Sequence, residues 1–177
     1  MARSTVRGSR HEPPRPGGRG RRSGRRDRRI TVVEGNLVAE PFFVPVTVRG
    51  YETDVQGHLN QAVYLQYAEH ARWSVLQAAG ISQAVLAARG VGPVALETTI
   101  RYRRELRAGD EVEVTCVFLW GEGKTFRIEQ IIRRTDGTVA AEITAVGGLM
   151  DLAERRLVPG PRDAFKALAT DPGPLGL

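Results

Sequence analysis

The stretch ETDVQGHLNQAVYLQYAEHARWSVLQAA, residues 52–79, decides the fold, because two patterns meet inside it. As far as Asn60 it is polar and turn-like. From about Ala62 to Ala79 it is helical: Tyr64, Tyr67, Ala68, Ala71, Val75, Ala78 and Ala79 recur at i, i+3, i+4 spacing and form one apolar stripe. Gly80 suits the position just past a helix, where the left-handed conformation costs glycine little. A helix with so wide an apolar arc needs a broad apolar surface to lie on.

The flanking segments supply that surface. Ahead of the helix, Phe42-Phe43-Val44-Pro45-Val46-Thr47-Val48 is β-branched and aromatic, and Pro45 marks it as an edge or irregular strand. Behind it a short helix is expected over about Ser82 to Ala88, and then strands. Val94, Leu96, Thr98, Ile100 and Tyr102 alternate with Ala95, Glu97, Thr99, Arg101 and Arg103. Val112, Val114, Cys116 and Phe118 alternate with more polar neighbours, and Gly121-Glu122-Gly123-Lys124 turns the chain into Phe126, Ile128, Gln130 and Ile132. Asp136-Gly137 signals a two-residue hairpin before a last strand through Val139, Ala141, Ile143 and Ala145 towards Leu149. Pro161 to Ala169 closes as a short helix, and Pro172-Gly173-Pro174 is expected to fray. This order predicts an α+β fold, a single domain whose antiparallel sheet wraps around the long central helix.

A length of 177 residues fits one domain, and 41% hydrophobic with 26% charged residues is ordinary globular composition. The charge is uneven. Residues 1–29 carry eleven arginines against Glu12 and Asp27, a net of +9, which leaves the rest of the chain at −3 within an overall +6. That segment is Arg/Gly/Pro-rich, with a single Val, and is expected to be a disordered basic tail. It reads either as a tether for nucleic acid or an acidic partner, or as a solvated tail without a role. The folded domain is expected over 40–170, with a flexible C-terminus at 171–177. One cysteine, Cys116, excludes an internal disulfide, and His11, His58 and His70 are too scattered for a zinc cluster. No run approaches the roughly 18 apolar residues that span a bilayer. No secretory signal is evident, so a cytoplasmic location and no membrane partner are expected.

The passage from Arg49 to Arg72, with Asp54-Val55-Gln56-Gly57-His58-Leu59-Asn60 at its centre, resembles the signature of the hotdog-fold thioesterases. It is similar to the 4-hydroxybenzoyl-CoA thioesterase group and to the plant acyl-lipid thioesterases. The likeness extends from about Phe42 to Leu157, and Arg103-Arg104-Glu105-Leu106-Arg107-Ala108-Gly109-Asp110 supports it. The resemblance implies hydrolysis of an acyl-CoA or acyl-carrier-protein thioester to free acid and thiol. It implies no metal or organic cofactor. It also implies a homodimer or homotetramer whose sites form where two chains meet.

Asp54 falls where many members carry a catalytic carboxylate, which acts as general base on water or attacks the carbonyl directly. It lies too far ahead of the helix to be a simple cap. Backbone N–H groups near Gln61 and Ala62, at the positive end of the helix, are expected to stabilise the oxyanion. Gly57 permits close approach of substrate or serves a turn, and Tyr64 is expected at the substrate. His58 orients water or the thioester, or is a structural histidine. Asn60 belongs to the site or caps the helix. Plant acyl-carrier-protein thioesterases share a related Asp-x-Asn-x-His run, but Gln56 stands here for the middle Asn.

Glu69 and Arg72 flank the apolar stripe, either as an i, i+3 ion pair or with one facing the substrate. In the similar enediyne-pathway thioesterases an Arg eighteen residues after the Asp54 position contributes to catalysis, and Arg72 has that spacing; those enzymes carry Asn at the Asp54 position. Glu69 resembles the helix carboxylate that is the base in another branch. Arg101, Arg103, Arg104 and Lys124 are candidates for CoA phosphates, or plain solvent-facing charges. The competing reading is a non-catalytic acyl-thioester sensor with a nucleic-acid-binding tail. A hotdog hydratase is disfavoured because no His-Phe-Pro-Gly passage is present.

Overall fold

Alternation along the chain builds the sheet: Phe126, Ile128, Gln130 and Ile132 are buried while Arg127, Glu129 and Ile131 are exposed. The structure, a computed structural model, describes residues 30–33, 36–39 and 41–177. The expected basic tail, 1–29, lies outside them. The chain divides into two units, Met1–Ala39 and Glu40–Leu177. Within the first, β1 (Ile30–Val33) pairs antiparallel with β2 (Asn36–Ala39), a hairpin the sequence reading did not assign.

The second unit holds β3 (Phe42–Thr47), α1 (Gln61–Ala78), α2 (Gln83–Ala88), β4 (Val91–Tyr102), β5 (Glu111–Trp120), β6 (Thr125–Arg134), β7 (Val139–Asp151), β8 (Arg156–Leu157) and α3 (Pro161–Leu168). The six-stranded antiparallel sheet runs β3-β5-β6-β7-β4, with the short β8 on β7. This is the α+β arrangement that the periodicities require. The long helix α1 packs on β5, β3 and β6. Ala68, Ala71 and Val75 are fully buried on its inner face, and the two alanines let the helix approach the sheet closely. No helix among the described residues is long and apolar enough to cross a membrane.

Two expectations are corrected. The apolar stripe read along β4 is not continuous, because the register against β7 shifts between Ala95 and Glu97 and makes Leu96 an extra residue. Such a bulge exchanges the faces. Thr98 and Ile100 pair with inward Ala145 and Ile143, whereas Val94, on the other side of Leu96, pairs with Gly148 and falls out of phase. Residues 95–99 are exposed on both faces of this edge strand.

The C-terminus does not fray. After α3 a single 3-10 turn at Gly173–Leu175 buries Leu175, whose carbonyl accepts the Trp120 indole N–H at 2.8 Å. Thr170 and Asp171 donate their backbone N–H groups to Ala79 O at the end of α1. Gly80 has φ +82°, and a Cβ there would run into Thr170 Oγ1, so glycine at this place serves both the helix stop and the docking of the last segment. Phe118, Trp120, Phe126 and Phe165 fill the core beneath this segment, each ring within 5.3–6.3 Å of its neighbours.

Candidate active site

The carboxylate of Asp54 is held by its own loop. Its Oδ1 accepts the backbone N–H groups of Gln56 at 2.8 Å and His58 at 3.2 Å. Its backbone N–H donates to His58 O at 2.8 Å, and its carbonyl accepts from Gly57 N at 3.0 Å. Gly57 takes φ +75° to close the turn, a conformation other residues adopt at a cost. Oδ2 takes neither of these bonds, and Asp54 is exposed to solvent. The turn is anchored at both ends. Thr53 bridges Leu59, Leu59 is buried and donates to Leu106 O at 2.6 Å, and Asn60 N donates to Glu52 O at 2.9 Å.

The start of α1 corrects part of the oxyanion expectation. Asn60 is the N-cap: its Oδ1 accepts Ala62 N–H at 2.9 Å, and its carbonyl accepts Val63 N–H at 2.9 Å. Ala62 therefore has no N–H to offer a ligand. Gln61 N–H donates to no protein group among the described residues, and it stands at the positive end of the helix. His58 is half-buried behind the Asp54 turn. Tyr64 is buried, its ring edge-on to Tyr102 at 5.1 Å, while the Tyr102 hydroxyl donates to Gln61 O at 3.2 Å. Tyr64 therefore packs α1 against β4 and does not line an open site.

Glu52 was not among the expected site residues. Its carboxylate is only 11% exposed and accepts Tyr67 Oη–H at 2.5 Å, Arg49 N–H at 2.8 Å and the Arg49 guanidinium at 3.1 Å. Burial alone would raise the Glu52 carboxyl, but these donors outweigh it and hold it below the usual carboxylate range. Burial and then the hydrogen bond to Glu52 drive the Tyr67 phenol upwards. With Asn60 N on its carbonyl, Glu52 ties the Asp54 turn to the second turn of α1. Tyr67, Gln66 and His70 also face Pro45 and Thr47 of β3 across an open cleft of about 480 Å³.

Arg72 lies on the other flank of α1. It is half-buried, and its guanidinium donates to Gln130 Oε1 on β6 at 3.0 Å. It forms no ion pair among the described residues, so of the two readings of Glu69 and Arg72 the i, i+3 ion pair is not made; Glu69 is exposed. Along one helix Glu69 and Arg72 lie roughly 12 and 17 Å from Gln61 at about 1.5 Å per residue. A single chain thus brings Asp54, Gly57, His58, Asn60 and Gln61 together, but not Glu69 or Arg72 with them. Cys116, buried under the helix, has its thiol pushed up to about 12 by burial, which removes it as a thiolate nucleophile near neutral pH.

The candidate phosphate-binding residues are dispersed. Arg103 pairs with Glu142 at 2.7 Å, and Arg104 donates to Arg103 O. Arg101 is exposed, and Lys124 borders an open depression of about 380 Å³ with Asp151, Glu154 and Arg156. No group of three or more His, Cys, Asp or Glu side chains among the described residues is placed to hold a metal ion.

Comparison with known proteins identifies the family and the fold. The sequence model of the thioesterase-like superfamily matches residues 48–168. The long-chain acyl-CoA thioesterase FadM of Escherichia coli is 30% identical over 112 residues, 63% of this chain and 84% of FadM. The chloroplastic acyl-acyl carrier protein thioesterase ATL3 of Arabidopsis thaliana is 35% identical over 80 residues, 45% of this chain and 42% of ATL3, so the chain spans less than half of that relative. The crystal structure of YbaW, a probable thioesterase from Escherichia coli, superposes with a TM-score of 0.65 at 25% identity, covering 73% of this chain and 99% of YbaW. With the sheet wrapped on α1 and the Asp54 turn set before it, the chain belongs to the thioesterase-like superfamily and is a hotdog-fold thioesterase.

Proposed function

We propose that this chain hydrolyses acyl-CoA thioesters, with Asp54 as the reacting carboxylate and Gln61 N–H as an oxyanion donor. One observation carries the reading: a turn that immobilises Oδ1 of Asp54 stands directly before the helix start, and among the described residues neither Oδ2 nor Gln61 N–H has a partner. Asp54 removes a proton from water as the water oxygen adds to the thioester carbonyl carbon. The carbonyl oxygen becomes negative and is stabilised at Gln61 N–H. Collapse of this intermediate breaks the C–S bond, and the departing sulfur receives the proton. Alternatively Oδ2 adds to the carbon and the C–S bond breaks, releasing a thiolate that is protonated from water and leaving a mixed anhydride, which water then cleaves to free acid and the Asp54 carboxylate.

Arg72 and Glu69 join this site from a second copy. Their separation from Gln61 along one helix, and the exposure of residues 95–99 on both faces of β4, support a dimer formed along that edge. The likeness to FadM supports CoA as the carrier; the likeness to ATL3 keeps acyl-carrier-protein thioesters as the alternative substrate.

A thiol-release assay over aromatic and medium-to-long acyl-CoAs, repeated with acyl-carrier-protein thioesters, tests the proposal. Turnover on CoA thioesters is expected. Turnover confined to carrier-protein thioesters would reassign the carrier, and none on either class would contradict hydrolysis.

A further inference from the structure

We infer that Gln130 is a positioning residue for Arg72, fixing the direction in which the guanidinium meets the thioester. This rests on the proposed hydrolysis with Arg72 facing substrate. The β5–β6 ladder is interrupted between Val114↔Ile132 and Val117↔Glu129. Backbone groups freed inside a sheet need other partners. Thr115 Oγ1 accepts Ile131 N–H at 2.8 Å, and Gln130 Nε2 donates to Thr115 O at 3.4 Å and to Ala68 O on α1 at 2.9 Å.

Both amide hydrogens of Gln130 are thereby committed to carbonyl oxygens. Only one orientation of the amide satisfies them, and it turns Oε1 towards Arg72. With Gln130 only 1% exposed, the amide has little room to move. It is a rigid acceptor bridging helix, sheet and guanidinium.

The choice of a neutral acceptor matters. A carboxylate in this place would neutralise the guanidinium in a weakly screened setting. The amide orients Arg72 and leaves its charge unspent. Arg72 takes no carboxylate partner among the described residues, and Arg134 Nε is the one side-chain polar atom there sealed from solvent without a partner. The remaining Arg72 N–H groups therefore stay accessible for an oxygen that gains charge during reaction.

A double-mutant cycle in the full chain tests this, using steady-state thiol release and thermal melts. Gln130→Met keeps side-chain volume and removes the acceptor. It is expected to lower kcat by about 10-fold or more with KM within about 3-fold, because orientation of a donor acts in the transition state. In an Arg72→Met background the same change should cost less than about 2-fold in kcat. An equal loss in both backgrounds, or no loss in either, overturns the inference. Arg72→Lys leaves the Gln130 anchors intact and serves if Gln130→Met fails to fold. It should lose about 10-fold or more in kcat with an unchanged melting temperature, and wild-type turnover by it would overturn the inference as well. A wild-type chain inactive on every thioester would instead sink the hydrolysis reading, and this assignment with it.

Discussion

Tyr67, in the second turn of α1, donates its hydroxyl to the Glu52 carboxylate at 2.5 Å across fifteen residues of sequence. That bond joins the loop bearing Asp54 to the helix whose N-terminus faces the same site. Removing the donor leaves a largely buried carboxylate short of a partner. Tyr67→Phe is expected to lower stability by about 1–3 kcal/mol in urea denaturation at neutral pH. A change below about 0.3 kcal/mol would show the bond to be dispensable.

The same carboxylate gives a pH dependence. Glu52 titrates lower in the folded chain than in the unfolded one, because the donors of Tyr67 and Arg49 outweigh its burial. Its contribution is therefore complete above the unfolded carboxylate value and is lost as pH falls through the folded one. The stability difference between wild type and Glu52→Gln should be constant near neutrality and close below about pH 4. A difference independent of pH from neutrality into that range would contradict the assignment.

The last residues are structural. Leu175 is 1% exposed and its carbonyl is bonded to Trp120. Leu175→Ala is expected to cost about 2–5 kcal/mol and to lower the melting temperature accordingly. An unchanged melt would mean that this segment contributes little.

How far the sequence carried depends on whether each feature is local. The α1 helix was legible within a residue at either end, since its stripe lies along it and Asn60 and Gly80 flank it in sequence. The strands from β5 to β7 were legible because alternation there is regular. The bulge at Leu96 was not, because Val94, Leu96, Thr98, Ile100 and Tyr102 alternate as well as an unbroken strand would; only the partner strand shows the extra residue. Pro172-Gly173-Pro174 reads as a breaker, and its docking depends on the distant Trp120.

In the site, the Asp54 turn and the helix start were legible as one passage. Asn60 resolved to the cap, which withdrew Ala62 N–H and left that of Gln61. Glu52 was hidden because a charged residue before a turn looks solvent-facing until Tyr67 folds onto it. Gln130 did carry a signal: it is the polar member of an otherwise apolar inward row with Phe126, Ile128 and Ile132.

Cys116 gives a chemical check on the nucleophile. Its buried thiol, pushed up to about 12, is neither ionised nor reachable in the folded chain. Iodoacetamide at neutral pH is expected to leave native activity intact and to label Cys116 only after denaturation. Inactivation in step with labelling of the native protein would implicate the thiol.

Assembly is tested without mutation. Light scattering at micromolar concentration should give a mass of at least two chains, and hydrogen exchange should slow at the β4 amides as association rises. A single-chain mass at every concentration would contradict a site completed by a second copy.

Asp54→Asn tests the central claim most directly, because it separates the turn from the chemistry. Asparagine keeps an oxygen for the N–H groups of Gln56 and His58 and removes only the carboxylate. The measurement is kcat for thiol release from the best acyl-CoA, with a melt on the same preparation. The account predicts a loss of about 10²-fold or more with folding unchanged. Turnover near wild type would remove Asp54 from the reaction and pass the carboxylate role to Glu69.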